Sequence, residues 1–167
     1  MWYVIQVRTG MEHRIVSICR QSLMQFGEDI FVPTKTVRKR IRGSDQDVEA
    51  KLFPGYVFFD TEEIENLFGR LKTIKEMTNI LKTGDEFVPL NEREETLLKK
   101  LTDKDYKVQL SLGYIEGDRV VITEGPMMGL EGLIKKINRH KKYAVLETEF
   151  FDNITEITVG LEIVDRK

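Results

Sequence analysis

The sequence predicts an α+β domain followed by an all-β module. Three observations carry this reading. Strand-like and helix-like runs alternate from Trp2 to Leu101. A mostly polar stretch without a firm period follows, from Asp103 to Leu112. Everything after Gly113 consists of short β-branched runs divided by turn residues, with no helical period.

The elements follow in order. Trp2 to Val7 is aromatic and β-branched without a breaker and reads as the opening strand, ended by Gly10. From Met11 the period changes, and Ile15, Ile18, Cys19, Leu23 and Phe26 fall on one helical face that Gly27 terminates. Ile30 to Val32 form a short strand before Pro33. Thr36 to Arg42 and Val48 to Leu52 read as the two arms of a projecting hairpin around Gly43-Ser44-Asp45. Tyr56 to Phe59 is an apolar strand. Thr61 is a candidate N-cap for a helix with Ile64, Leu67, Phe68 and Leu71 on its inner face. Ile80 to Lys82 are expected as a last strand. Asn91 and Glu94 have capping-box spacing for a third helix with Leu97, Leu98 and Leu101 inward. The second module is expected to hold five strands: Arg119–Thr123, Gly132–Asn138, Tyr143–Glu149, Ile154–Val159 and Leu161–Val164. Closing them into a small barrel would hide their edges. The expected division is a first domain over 1–103, a linker over 104–112 and a barrel over 113–167.

Bulk composition narrows the function classes. With 26 Lys+Arg against 28 Asp+Glu in 167 residues, net charge carries no nucleic-acid signal, so any basic face is local. One cysteine, Cys19, and two histidines, His13 and His140, give no disulfide and no zinc cluster, and fit a reducing cytoplasm. No apolar run reaches the roughly 20 residues of a membrane span, and the N-terminus lacks signal-peptide order. A soluble cytoplasmic monomer without metal or cofactor is expected. There is no Ser/His/Asp arrangement and no phosphate-cradling glycine loop after a strand. The acidic pairs Glu62-Glu63 and Glu94-Glu95 sit at helix starts, where the helix dipole favours them. No enzyme is expected.

Two basic clusters stand out. Arg38, Lys39, Arg40 and Arg42 crowd one arm of the hairpin, a basic group that on composition alone can be a solvated tip. Lys135, Lys136, Arg139, His140, Lys141 and Lys142 gather about the turn between the second and third barrel strands. Tyr143 follows, to stack on a base or to pack. This patch is expected to bind RNA through shape and phosphate, or else it only solubilises a turn.

The motifs of the second module are Gly117-Asp118-Arg119-Val120-Val121-Ile122 and Gly125-Pro126-Met127-Met128-Gly129-Leu130-Glu131-Gly132-Leu133-Ile134. Together they resemble the KOW motif of NusG-type transcription factors and some ribosomal proteins. Gly129 and Gly132 are expected in backbone conformations closed to other residues. In the first half, Trp2-Tyr3-Val4, Val32-Pro33-Thr34, Phe53-Pro54-Gly55-Tyr56-Val57 and Val88-Pro89-Leu90 resemble the NusG N-terminal domain in the right order.

The resemblance implies a ferredoxin-like αβ sandwich (NGN domain) followed by a small SH3-like barrel (KOW domain). It also implies docking onto the clamp helices of the largest RNA polymerase subunit through an apolar hollow. Phe53, Pro54, Gly55 and Tyr56 fit such a hollow, and an aromatic on each side of a Pro-Gly turn suits an interface anchor. Tyr3 and Phe31 either complete it or belong to the core. Arg70 and Lys72 are candidates for the far side of the polymerase cleft, and the hairpin cations for upstream or non-template DNA.

Two positions depart from the general family member. Met127 stands where an aromatic follows Gly-Pro, and Phe150-Phe151-Asp152-Asn153 stands where Ile-Phe-Gly-Arg is usual. With the basic turn, these departures resemble a specialised paralogue of the LoaP group of processive antiterminators, which implies an RNA hairpin in an operon leader. The alternatives are a housekeeping member coupling polymerase to Rho or the ribosome, and a ribosome-associated KOW protein that binds RNA. A second specialised group, typified by RfaH, keeps its barrel refolded as helices. The β-branched residues Ile134, Ile137, Val145, Ile154, Ile157 and Val159 predict a β module here instead.

Overall fold

The computed structural model describes residues 1–76, 87–151 and 153–165, in two compact units: Met1–Val32 with Phe53–Glu95, and Pro33–Leu52 with Thr96–Lys167. The strand expected at Ile80 to Lys82 lies outside the described residues.

The first unit is built on an antiparallel sheet in the order β2-β5-β1-β6. Its strands are β1 (Trp2–Gln6), β2 (Asp29–Phe31), β5 (Tyr56–Asp60) and β6 (Val88–Pro89). Helices α1 (Glu12–Ser22) and α2 (Ile64–Lys72) cover one face. Ile15, Cys19, Leu67 and Leu71 pack there on Ile5, Val7, Ile30, Val57 and Phe59. All are buried, so the helical period and the alternation of the strands meet in one core. Phe26 departs from expectation: α1 ends at Ser22, and Phe26 stands fully exposed in the following loop. The Leu23 and Met24 amides both turn back to the Cys19 carbonyl, which closes the helix a turn early.

The opposite sheet face is aromatic. Trp2 meets Phe31 edge-on at 4.7 Å, Phe31 stacks on Phe58 at 5.6 Å, and Phe53 lies 5.7 Å from Phe58. Thr61 caps nothing at the first helical position, since α2 starts at Ile64. Its hydroxyl instead donates to Glu28 (2.7 Å) and accepts the Glu63 amide (3.0 Å). The capping box at α3 (Glu92–Leu101) forms as its spacing predicts, with Asn91 and Glu94 exchanging amide-to-side-chain bonds of 3.1 and 2.8 Å.

The second unit begins with the hairpin of β3 (Thr34–Ile41) and β4 (Ser44–Lys51). Its turn is Arg42-Gly43, both at positive φ (52° and 82°), the geometry that matches strand twist in a two-residue loop. Arg42 is thus a turn residue and not part of an arm. The segment 104–112, expected as a linker, contributes β7 (Lys107–Val108), which runs parallel to β3, and the first residues of β8 (Ser111–Glu116).

With β9 (Arg119–Glu124), β10 (Ile134–Asn138), β11 (Tyr143–Phe150) and β12 (Asn153–Ile163), β8 makes a curled five-stranded sheet, β10-β11-β12-β8-β9. Where a small closed five-stranded barrel is expected, the structure has a curled five-stranded half-barrel, with two changes among the strands. β8, which begins at the end of the polar stretch and runs on past it, is not among the expected strands, and the two strands expected on either side of Gly160 are one strand. Gly160 does not break β12, because it keeps an extended backbone. It is a glycine because a Cβ there would run into the Thr36 carbonyl oxygen of β3.

Candidate nucleic-acid interface

Two stretches far apart in sequence form one groove in the second unit. Its volume is about 520 Å3, and Arg38, Lys39, Arg40, Asp45, Arg139, His140, Lys141 and Lys142 line it. Arg38, Lys39 and Arg40 of the hairpin cluster, without Arg42, and Arg139 to Lys142 of the basic turn, expected at separate surfaces, are its two walls.

Local structure sets each wall. β3 alternates, so Val37 turns inward and is buried while Arg38 and Arg40 share the other face. Between β10 and β11 the chain turns at Asn138, whose side-chain oxygen accepts the Lys141 amide at 2.8 Å, and Lys142 adopts a left-handed backbone (φ 59°). Tyr143 is half-buried, and its hydroxyl accepts a long 3.4 Å bond from Asn138. It packs at the base of the turn.

Acidic side chains hold the walls together. Arg38 binds Asp47 at 2.9 Å and also pairs with Glu162 on β12. Lys142 binds Asp45 at 2.7 Å and Glu162 at 3.4 Å. The hydrogen bond with Lys142 holds the Asp45 carboxyl below the usual aspartate range, and the same bond raises the Lys142 ammonium. The bond to Asp47, with Glu162 nearby, raises Arg38. Lys39, Arg40, Arg139 and Lys141 are exposed and have no ion pair among the described residues. Four cations are therefore available to an anionic partner, and two are fixed in the scaffold.

Lys135 and Lys136 are not part of this groove. They line a second one, of about 580 Å3, with Ile115, Arg119, Val120 and Ile137. Lys135 stands at a bulge in the β10–β11 pairing and is clamped by Glu156 (2.8 Å) and Glu147 (3.1 Å). The bonds to Glu156 and Glu147 raise its ammonium. All six basic residues are near in chain order, but the bulge and the turn send them to different faces. The acidic members Asp45 and Glu162 were missed. Glu162 lies 124 positions from Arg38 and has no local signal.

The loop that carries the KOW-like glycines is structural. Met127 is buried, and its amide donates to Ser111 Oγ at 3.1 Å. Gly125 (φ 101°) lies where a Cβ would approach Ser111 Cα to 2.6 Å, so both conformation and space require glycine. Gly129 has φ 79°, as expected. Gly132 does not adopt positive φ and sits in the 3-10 turn Glu131–Leu133.

In the first unit the expected hollow is divided. Cross-strand register puts Tyr3 opposite Phe59, on the helix-covered face, whereas Phe31 lies opposite Phe58 on the aromatic face. Tyr3 and Phe31 therefore cannot line one depression. Phe31 and Phe53 are buried, at 2% and 7% exposure. Pro54 is exposed and Tyr56 is half-exposed, so only these reach the surface of the turn. Gly55 is buried at φ 87°, and its carbonyl accepts the Val7 amide at 2.8 Å.

Arg70 is internal rather than outward. It bonds Asn66, the Leu23 carbonyl and both oxygens of Glu28, the last two at 2.8 Å. Lys72 is exposed, with its ammonium 4.2 Å from the centre of the Phe68 ring.

Residues 1–99 match the family described as Transcription termination factor nusG, and residues 116–147 match the KOW motif. Among similar proteins is the Transcription termination/antitermination protein NusG of Haemophilus influenzae, 27% identical over 99% of this chain and 93% of the relative. The protein of the same name from Pseudomonas aeruginosa is 28% identical over 99% of this chain and 97% of its own. That of Rickettsia typhi is 27% identical over 99% and 89%.

Proposed function

Because this chain belongs to the NusG family, we propose that it is a cytoplasmic elongation factor that binds RNA polymerase through its N-terminal domain and RNA through its KOW module. The N-terminal domain, proposed as residues 1–103, bridges the polymerase clamp to the far side of the cleft and disfavours pausing. The barrel, proposed as residues 113–167, engages the emerging transcript and promotes elongation past terminators. The single observation that supports RNA binding is the groove in which Lys39, Arg40, Arg139 and Lys141 are exposed without ion pairs among the described residues. Neutralising phosphates with such side chains releases counterions and favours binding without any base contact.

For polymerase docking, the exposed ring of Pro54 and the half-exposed ring of Tyr56 are the contact, and buried Phe31 and Phe53 hold the turn rigid from beneath. Lys72 is the remaining candidate for the far side of the cleft. The test is co-purification with RNA polymerase, followed by single-round transcription through an intrinsic terminator, with and without leader RNA. Tyr56→Glu is expected to abolish polymerase association in a variant that melts like wild type. Wild-type association would end this reading of the turn.

Full-length similarity to proteins named for both termination and antitermination favours a second reading, a general factor that couples polymerase to Rho or the ribosome. Stimulation of Rho-dependent termination in the same assay would select it, whereas increased read-through selects the antiterminator.

A further inference from the structure

We propose that the β3–β4 hairpin and the Arg139–Lys142 turn grip one RNA together, and that the nucleotides in their groove are unpaired. This rests on the RNA-binding reading above. It reassigns the hairpin cations from DNA to the same transcript that the barrel holds.

Geometry points to one ligand. Arg38, Lys39 and Arg40 form one wall of the groove and Arg139 to Lys142 the other, so a strand that neutralises one wall lies within reach of the second. The walls are tied by the Arg38–Glu162 and Lys142–Asp45 pairs and by the close passage of Gly160 along Thr36. A groove assembled before the ligand arrives binds with little reorganisation cost.

Size and chemistry point to unpaired nucleotides. About 520 Å3 falls within the ~300–1,000 Å3 that small ligands fill, so the groove takes a nucleotide or two of a strand at a time. Asp45 stands among the lining cations. A carboxylate repels phosphate but accepts hydrogens from base amino groups, and the deep, narrow major groove of an RNA duplex keeps those of paired A and C out of a side chain's reach, so a base that meets Asp45 is a splayed one. His140 adds an exposed ring on which a splayed base can stack. Loops and bulges are where RNA offers such bases.

The experiment uses the full chain and three fluorescent probes at low salt. These are an RNA stem with a large mixed-sequence loop, the blunt RNA duplex of the same stem, and the DNA version of the stem-loop. The loop RNA is expected to bind about tenfold tighter than either other probe. Lys39→Glu with Arg40→Glu, and Arg139→Glu with Lys141→Glu, are each expected to weaken loop-RNA binding about tenfold and to lower the salt slope by about two. Glutamine versions of both pairs and melting curves guard against misfolding. The exposure of all four side chains makes unfolding an unexpected result.

If the hairpin variants bind loop RNA like wild type while the barrel variants lose it, the shared grip is wrong and RNA binding stands. If neither pair changes affinity, the RNA reading itself falls. Blunt duplex or DNA loop binding as tightly as RNA loop overturns the unpaired-RNA occupant.

Discussion

Gly160 on β12 lies so close to Thr36 on β3 that a Cβ would overlap the Thr36 carbonyl oxygen. The hairpin therefore approaches the barrel more nearly than any side chain at position 160 would allow. Gly160→Ala must push β3 away from β12. A loss of about 1–3 kcal/mol is expected in denaturant unfolding, together with weaker RNA binding, because the groove walls separate. A Gly160→Ala variant with wild-type stability would show that the approach is not required.

The Glu28–Arg70 node gives a pH-dependent prediction. The Glu28 side chain is 8% exposed. Burial alone would raise its carboxyl, but bonds from the Thr61 hydroxyl and the Gln25 amide and the Arg70 guanidinium outweigh it and hold the group below its ordinary 4.5. A depressed carboxylate contributes stability above the unfolded value and loses it as pH falls through the folded one. Wild-type stability should therefore fall on acidification below 4.5, and more steeply than in Glu28→Gln. At neutral pH that substitution should cost about 1–3 kcal/mol. Parallel stability profiles for the two proteins below that value would dismiss the node as a source of acid sensitivity.

How much of this was legible in the sequence differs by element. The Asn91–Glu94 box, the buried stripe of α2 and the strands around Trp2 and Tyr56 could be read because each depends on neighbours within a few positions. Phe26 was misplaced because a helical period continues in the letters after the backbone has stopped. β8 was hidden because its pairing partners, β9 and β12, supply its order, while its own composition is mixed. The candidate groove was half legible. Both basic clusters were visible, but their union depends on β3 lying beside β12, a contact between distant segments whose one sequence mark is a glycine inside a strand. The reverse holds for Arg70, whose exposed-looking charge is internal because Glu28 sits 42 positions away in sequence and 2.8 Å away in space.

Cys19 offers a probe of the first unit. It is fully buried between α1 and the sheet, and burial pushes its thiol up to about 12. With the thiolate suppressed and access blocked, alkylation at mildly alkaline pH should be negligible in the native protein and fast in denaturant. The rate in native buffer then reports opening of the core. Prompt labelling of the folded chain would contradict the packing of α1 on the sheet.

Glu162 separates two roles of the acidic cluster, because it faces both Arg38 and Lys142. If its carboxylate chiefly offsets the charge of the groove, Glu162→Gln leaves a more positive surface. RNA binding at low salt should then tighten, by about threefold, with a steeper salt dependence. If the carboxylate chiefly aligns the walls, the same change loosens them and weakens binding. Arg38 keeps Asp47 and Lys142 keeps Asp45 when Glu162 is neutral, so each wall retains a partner. The expected result is therefore the tighter complex, with a small loss of thermal stability. Weaker binding with an unchanged salt slope would assign Glu162 to alignment.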